Sequence, residues 1–235
     1  MQERSRKEKN ILYIVVPCYN EEQVLAETSK RLKEKCEMLI HDGKIAKESR
    51  IVFVDDGSKD HTWNMIDEFH KMDSIFSGVK LSRNRGHQNA LLAGLTMASE
   101  KADIVISMDA DLQDDINAVD QMIEKYYEGC DIVYGVRSAR DTDTFFKRFT
   151  AEAFYKLINK FTEVEIVDGA RDFRLMTREV VDSVLSLQEY HRFSKGIFAW
   201  VGYKTVYLEY ENVERVAGET SWSFWKLFAY AIEGI

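Results

Sequence analysis

Short apolar segments alternate with segments of helical periodicity over residues 11–136, and this alternation restricts the fold more than any other feature. Strands are predicted at Ile11–Val16, Ile51–Val54, Gly78–Leu81, Asp103–Met108 and Asp131–Val136, with helices at Val24–Ile40, Thr62–Lys71, Gly86–Ser99 and Ile116–Tyr127. Strands that alternate with helices form a mostly parallel sheet with helices on both faces. We therefore predict a Rossmann-like α/β domain of this kind.

Polar clusters follow four of the predicted strands directly. They are Tyr19-Asn20-Glu21, Asp55-Asp56, Arg83-Asn84-Arg85 and Asp109-Ala110-Asp111. Ligands of open α/β sheets bind at the carboxyl ends of strands, so these clusters are expected to converge at one edge. Asn20 is also a candidate cap for the first helix, with Gln23 placed as in a capping box.

Composition excludes several classes of protein. The net charge of −8 gives no general attraction to nucleic acid, so a non-specific DNA or RNA binder is not expected. The three cysteines form no CxxC pair, which indicates neither a disulfide framework nor a zinc knuckle and favours a reducing cytoplasm. The amino terminus lacks the apolar stretch of a signal peptide, and no segment approaches the roughly 18 apolar residues of a membrane span.

The segment Asp109–Gln113 is the strongest candidate for chemistry. Asp109, Asp111 and Gln113 are spaced two apart, and in an extended backbone such positions project to the same side. Two carboxylates and an amide oxygen suit Mg²⁺ or Mn²⁺, which would hold a diphosphate and neutralise its charge as it leaves. A solvated acidic loop is one alternative. An EF-hand is another, although Asp114 and Asp120 stand where that loop needs glycine and glutamate.

Three segments in this order resemble family 2 glycosyltransferases of the GT-A fold: Val15–Glu21, Val54–Ser58 and Asp109–Asp111. The resemblance implies that the first two hold the nucleoside of a nucleotide-diphosphate sugar and that Asp-x-Asp holds metal and diphosphate. By resemblance, donor contacts fall on Pro17, Tyr19, Glu21, Asp56, Arg85, Asp109 and Ala110, and the metal ligands are Asp109, Asp111 and Gln113.

Further segments are similar to polyprenyl-phosphate glycosyltransferases, the group that contains dolichol-phosphate mannose synthase and the bactoprenol glucosyltransferases. They are Leu81–Gly86, Asp109–Gln113, Gly135–Arg137, Gly169–Met176 and Arg215–Thr220, and the resemblance runs from Ile11 to the last residue. It implies transfer of a hexose or N-acetylhexosamine, most simply from a UDP sugar, to a polyprenyl phosphate. Many relatives carry a lysine where this chain has Ser221, and Lys226 is the candidate to replace it.

The implied reaction needs no general base, because a lipid phosphate has a second pKa of about 6 and is already an anion at neutral pH. Direct attack of that anion on the anomeric carbon inverts its configuration. Catalysis then consists of positioning and charge stabilisation, and an arginine fork suits phosphate because it binds two oxygens. The predicted catalytic residues are Asp111, Arg137 and Asp172, and the predicted phosphate contacts are Arg137, Arg215 and Lys226.

Other interpretations remain open at this stage. Arg137 also fits a surface ion pair, and Asp172 a salt bridge to Arg171 or Arg174. A family 2 transferase that extends a cell-surface glycan would use Asp172 as a base on a sugar hydroxyl. A protein of another class would bind sugar nucleotides without catalysis, although the intact Asp-x-Asp argues against it. His87 and His191 are isolated and are interpreted as structural or surface residues.

Two segments in the carboxyl-terminal part of the chain are predicted to meet a membrane surface. Phe145–Phe161 and Trp222–Ile235 combine aromatic residues with helical spacing, and the first also carries Lys147, Arg148, Lys156 and Lys160. Such helices lie in the interface of anionic bilayers. We expect a tail at 1–10, a GT-A catalytic domain at 11–221 and a juxtamembrane helix at 222–235, followed in the full-length protein by spanning helices. The expected location is the cytoplasmic face of the cell membrane, where a homo-oligomer is possible.

Overall fold

The fold is seen in a computed structural model, which describes Arg6 and residues 9–137, 170–187 and 194–210. Its elements are β1 (Leu12–Cys18), α1 (Leu25–His41), β2 (Arg50–Asp55), α2 (Thr62–Met72), β3 (Phe76–Lys80), α3 (His87–Ser99), β4 (Ile104–Ser107), α4 (Ala118–Tyr127), β5 (Ile132–Arg137), β6 (Ala170–Thr177), α5 (Arg178–Ser186), α6 (Ser194–Trp200) and β7 (Thr205–Tyr210). The predicted helices at Phe145–Phe161 and Trp222–Ile235 lie outside the described residues.

Seven strands form one sheet in the order β3-β2-β1-β4-β6-β5-β7 in this described part of the chain. The pairs β2–β3, β1–β2 and β1–β4 are parallel. Strand β6 runs antiparallel to both of its neighbours, β4 and β5, whereas β7 pairs with β5 in parallel. The predicted mostly parallel sheet is confirmed. The amino end of β6 therefore lies at the same edge as the carboxyl ends of β1, β2 and β4.

Helices cover both faces of the sheet and enclose two apolar layers. Successive side chains of a strand point to opposite faces, so Leu12 and Ile14 of β1 join the layer under α1, α2 and α4, while Tyr13 and Val15 join the layer under α3, α5 and α6. Every residue of β1 is buried, as expected for a central parallel strand covered on both sides. Cys18, Cys36 and Cys130 are all buried free thiols. None of the helices in the described ranges is both long and apolar enough to cross a bilayer.

The proposed cap at Asn20 is wrong. Helix α1 begins at Leu25, its N-cap position is Val24, and no side chain caps it. Asn20 instead adopts a left-handed conformation with φ of 57°, and its Oδ1 accepts a hydrogen bond from the Lys59 amide at 2.8 Å. The residue therefore joins two loops at the sheet edge, a tertiary role that a local capping pattern cannot reveal.

Helix α3 packs unusually close to the sheet at Gly94. A Cβ atom added there would lie 2.3 Å from Val15 Cγ1 and 3.0 Å from Val54 Cγ2. We expect Gly94→Ala to lower the free energy of unfolding by about 1–3 kcal/mol through overpacking, although alanine is the better helix former by ~1 kcal/mol. Urea unfolding measures the change, with Thr96→Ala, an exposed site on the same helix, as control. Equal stability of Gly94→Ala and the wild type would contradict this close contact.

Candidate active site

The carboxyl ends of β1, β2 and β4 bring the predicted polar clusters to one edge, and strand pairing explains how. Cys18 pairs with Asp55 at the ends of β1 and β2, and the Asp56 amide donates to the Cys18 carbonyl at 2.8 Å. On the other side of β1, Ser107 of β4 pairs with Arg174 of the antiparallel β6. Asp109 follows β4 by two residues and Asp172 precedes Arg174 by two residues, so both lie near this edge.

The loops after β1 and β2 are joined by side chain–backbone hydrogen bonds. The Asn20 amide donates to Ser58 Oγ at 2.9 Å, and the Glu21 amide donates to Thr62 Oγ1 at 2.8 Å. Of the predicted donor contacts here, Pro17 is buried in β1, Glu21 is half-buried and Tyr19 has 41% of its surface exposed. Tyr19 is thus available to a ligand at this edge, as the resemblance requires.

Asp56 fixes a third loop, the one that precedes α3. Its Oδ1 accepts from the Arg85 amide at 2.6 Å and its Oδ2 from the Gly86 amide at 2.8 Å. Burial raises the pKa of this carboxyl above its usual value. The next residue, Gly57, lies so near this loop that an added Cβ would sit 2.5 Å from the Arg83 carbonyl carbon. Asp56, predicted to touch the nucleoside, therefore holds the backbone that carries the exposed Arg85.

The metal-ligand prediction assumed an extended backbone over residues 109–113, and that assumption is wrong. Strand β4 ends at Ser107, and the following residues form a turn in which Leu112 has a φ of 58°. Asp111 Oδ1 accepts from the Gln113 amide at 3.1 Å, which closes the turn. The carbonyl of Ala110, a predicted donor contact, accepts from Thr28 Oγ1 at 2.7 Å and ties the turn to α1.

Asp114 anchors the same turn to the far strand of the sheet. Its Oδ1 accepts from the Tyr210 hydroxyl at 2.6 Å, and its Oδ2 lies 3.4 Å from the Asp109 amide, which donates to it. Asp114 and Tyr210 are both buried. The sequence used Asp114 only to argue against an EF-hand loop. Its hydrogen bond with the Asp109 amide was not predicted.

Asp172 joins the acidic cluster that is formed by Asp109, Asp111 and Asp114 at this edge, because His87 lies near both Asp172 and Asp109. Asp172 Oδ2 is 3.2 Å from His87 Nε2, its Oδ1 pairs with the Arg174 guanidinium, and Ser107 Oγ donates to its main-chain carbonyl. His87 Nε2 is also 3.9 Å from Asp109 Oδ1. The interpretation of His87 as an isolated residue is therefore wrong, because it contacts the two carboxylates that the sequence places in the site. The salt bridge between Asp172 and Arg174, left open above, is present.

The charges in this cluster shift one another's ionisation. Burial and the carboxylates of Asp114, Asp172 and Asp111 raise the pKa of Asp109 to about 6, against the opposing effect of His87. Burial disfavours the His87 cation, but Asp172 and Asp109 outweigh it and raise the pKa of His87 to about 9. The site thus concentrates negative charge that a cation would stabilise.

This donor chemistry fits a hard divalent cation. Carboxylate and amide oxygens are the ligands that Mg²⁺ and Mn²⁺ prefer, and Asp109, Asp111 and Gln113 belong to one turn. Among the described residues there is no group of three or more His, Cys, Asp or Glu side chains arranged to hold a metal. The assignment of these ligands stays a prediction.

Several predicted phosphate contacts cannot be placed. Arg137 ends β5, next to the site edge, but only its backbone is described. Arg215 and Lys226 lie outside the described residues, as do Ser221 and His191. The fold and the acidic turn nevertheless define a class of protein, the GT-A glycosyltransferases.

Comparison with known proteins identifies the family. Residues 13–185 match the sequence model of the family described as glycosyl transferase family 2. The chain belongs to this family. It is 46% identical over 230 residues to the uncharacterized glycosyltransferase YkoT of Bacillus subtilis, covering 98% of this chain and 68% of that protein. It is 43% identical over 222 residues to the bactoprenol glucosyl transferase of Shigella phage SfV, covering 94% and 70%. The chain is therefore a glycosyltransferase.

Solved structures agree with the fold. A mannosyltransferase of Pyrobaculum calidifontis in complex with GDP-Man and Mn²⁺ superposes with a TM-score of 0.62 at 20% identity, covering 90% of this chain and 59% of that one. Glucosyl-3-phosphoglycerate synthase of Mycobacterium tuberculosis, in complex with Mn²⁺ and UDP-glucose, gives 0.57 at 18% identity, covering 95% and 76%. At these identities the likeness establishes the shared GT-A fold.

Proposed function

We propose that this chain transfers a hexose or N-acetylhexosamine, with inversion, from a nucleotide-diphosphate sugar to a polyprenyl phosphate at the cytoplasmic face of a membrane. The observation that carries the proposal is the sequence identity of 42–43%, over 94% of this chain, to proteins named as bactoprenol glucosyl transferases or their homologues. The neighbours that bind UDP-glucose or GDP-mannose with Mn²⁺ support the donor class. UDP-glucose and UDP-N-acetylglucosamine are the first donors to test.

On the donor side, the joined loops after β1 and β2 would receive the nucleoside, with Pro17, Tyr19, Glu21 and Arg85 as contacts. Asp109, Asp111 and Gln113 would hold Mg²⁺ or Mn²⁺, which supplies charge neutralisation for the departing diphosphate. Thr28 and Asp114 support this arrangement, because each binds the backbone of the turn directly.

On the acceptor side, the attacking group is already an anion, so the site has to orient it and to balance charge. Arg137, Arg215 and Lys226 are the proposed phosphate contacts. The segments Phe145–Phe161 and Trp222–Ile235 are proposed to meet the membrane surface where the lipid lies. Asp172 would orient the metal site or the acceptor, since it borders the metal turn.

The decisive experiment is incubation with a panel of radiolabelled sugar nucleotides and undecaprenyl phosphate, followed by lipid extraction. Label from one donor is expected in the organic phase, and EDTA should prevent its appearance. In a parallel incubation that also contains a soluble glycan acceptor, label that appears only in this glycan would instead favour the alternative in which Asp172 is a base on a sugar hydroxyl. Binding of a UDP sugar with neither transfer nor hydrolysis would favour a non-catalytic binding protein.

The product's stereochemistry gives an independent prediction. A single displacement by the lipid phosphate should convert an α-linked UDP sugar into a β-linked sugar phosphate. NMR of the extracted lipid measures the anomeric coupling. An α linkage would require a double displacement through an enzyme nucleophile and would refute direct attack.

A further inference from the structure

Arg174 is a fully buried cation in the middle of the sheet. It lies in β6 with none of its surface exposed, and its guanidinium carbon is 5.2 Å from the centre of the Tyr134 ring and 4.2 Å from that of Phe198. Its Nη2 pairs with Asp172 Oδ1. The guanidinium is thus held by two aromatic rings and a carboxylate that borders the candidate active site.

Such burial is costly, so the residue requires an explanation. Removing a charge from water costs several kcal/mol even after relaxation, and a buried ion pair is often no more stable than apolar residues of the same volume. Stacking on aromatic faces offsets part of the cost. Stability alone therefore explains poorly why an arginine lies here. The position of its partner, Asp172, offers a better explanation.

Asp172 is constrained at three points. Arg174 binds one carboxylate oxygen, His87 Nε2 approaches the other to 3.2 Å, and Ser107 binds the main-chain carbonyl. Side chains at a reacting centre must stay within about 0.5 Å of their productive position. A planar guanidinium in contact with two aromatic rings is a rigid support for that purpose, because its own orientation is fixed before a substrate binds.

We propose that Arg174 is a positioning residue that holds the Asp172 carboxylate against His87 and the Asp109 turn, so that Asp172 is in place when the sugar is transferred. The proposal rests on the proposed function for the role of Asp172. Arg174 itself acts through Asp172 and touches no substrate. Tyr134 and Phe198 contribute by fixing the guanidinium plane.

The test is a double-mutant cycle on Arg174 and Asp172, measured as kcat and donor KM for transfer to undecaprenyl phosphate. Arg174→Lys keeps the charge but loses the planar fork, and it is expected to lower kcat about 10-fold. Asp172→Asn should lower kcat about 100-fold, the upper range for residues that orient a metal site. The donor KM should change less than about threefold in both, because the nucleoside loops are untouched.

Non-additivity is the distinguishing result. If Arg174 works through Asp172, the double variant should be no slower than Asp172→Asn alone. Effects that multiply, to about 1,000-fold, would overturn the proposal, as would an unchanged kcat in a folded Arg174→Lys protein. Arg174→Met removes the charge altogether and is expected to perturb folding more than Arg174→Lys. The melting temperature of each variant is therefore measured together with its kcat.

Arg178→Met is the matched control. Arg178 follows β6 directly and its guanidinium binds the main-chain carbonyls of Ser99 and Ala102 at the opposite edge of the sheet. Its loss should lower the melting temperature while leaving kcat unchanged. If the wild-type chain hydrolyses UDP sugar but glycosylates no lipid phosphate, the proposed acceptor is wrong, and the same variants measured by hydrolysis still decide the role of Arg174.

Discussion

Replacing Asp111 by Asn is expected to lower kcat by about 10²–10³-fold, the range found when a charge-stabilising group is removed from a site. The amide has the same shape and its oxygen can still accept from the Gln113 amide, which Asp111 Oδ1 does at 3.1 Å. The fold should therefore survive, whereas the negative charge proposed to bind the metal is lost. Transfer rates measured against Mn²⁺ concentration test this expectation.

Asp115→Asn is the control for Asp111→Asn. Asp115 lies in the same loop, and its Oδ1 closes a similar turn by accepting from the Asn117 amide at 2.9 Å. Asp115→Asn removes the same negative charge as Asp111→Asn, at a position outside the predicted metal ligands. Its activity should equal that of the wild type. Full transfer by Asp111→Asn in the presence of EDTA would disprove the metal site.

Gly57→Ala should reduce kcat/KM for the donor by about 10²-fold, the effect of misplacing catalytic groups by roughly 1 Å. Its φ of +68° disfavours any side chain, and an added Cβ would lie 2.5 Å from the Arg83 carbonyl carbon and 2.6 Å from the Asn84 amide nitrogen. These are backbone atoms, so the whole loop that Asp56 holds must move, and Arg85 and His87 move with it. Steady-state kinetics and donor titration calorimetry measure the loss.

Gly43→Ala separates this displacement from simple backbone strain. Gly43 has a φ of +71°, and its nearest neighbour would be the flexible Lys9 side chain at 3.4 Å. Both variants should lose about 1–2 kcal/mol of stability from the left-handed conformation. Only Gly57→Ala should lose activity. Equal kinetics in the two variants would show that the loop contact does not matter for donor binding.

Much of the fold follows from local patterns. Strands β1–β5 were predicted within two residues of their observed ends, because each is a short apolar run bounded by polar residues. The convergence of the polar clusters also follows from the sequence, since parallel strands end at one edge. The shape of the 109–113 turn does not follow from the sequence. It depends on the hydrogen bond from Thr28 to the Ala110 carbonyl and on the one from the Gln113 amide to Asp111.

Strand β6 could not be predicted in this way. Its sequence carries Arg171, Asp172 and Arg174, and charged residues are normally absent from central strands because burial of charge is costly. The tertiary contacts that offset the cost come from Tyr134, Phe198 and His87, which are distant in sequence. His87 was missed for the same reason, because a single histidine carries no periodic signal and acquires its role through carboxylates on β6 and the 109–113 turn.

The order of strands in space has a consequence for synthesis of the protein. Strands β1 to β4 find their partners among themselves, so this half of the sheet can assemble as it leaves the ribosome. In the described chain β5 has only β6 and β7 as neighbours, so it must wait for a strand made later. Docking of β6 then joins the two halves of the sheet and delivers Asp172 in a single event. The chain therefore gains Asp172 beside the Asp109 turn only when the sheet is finished.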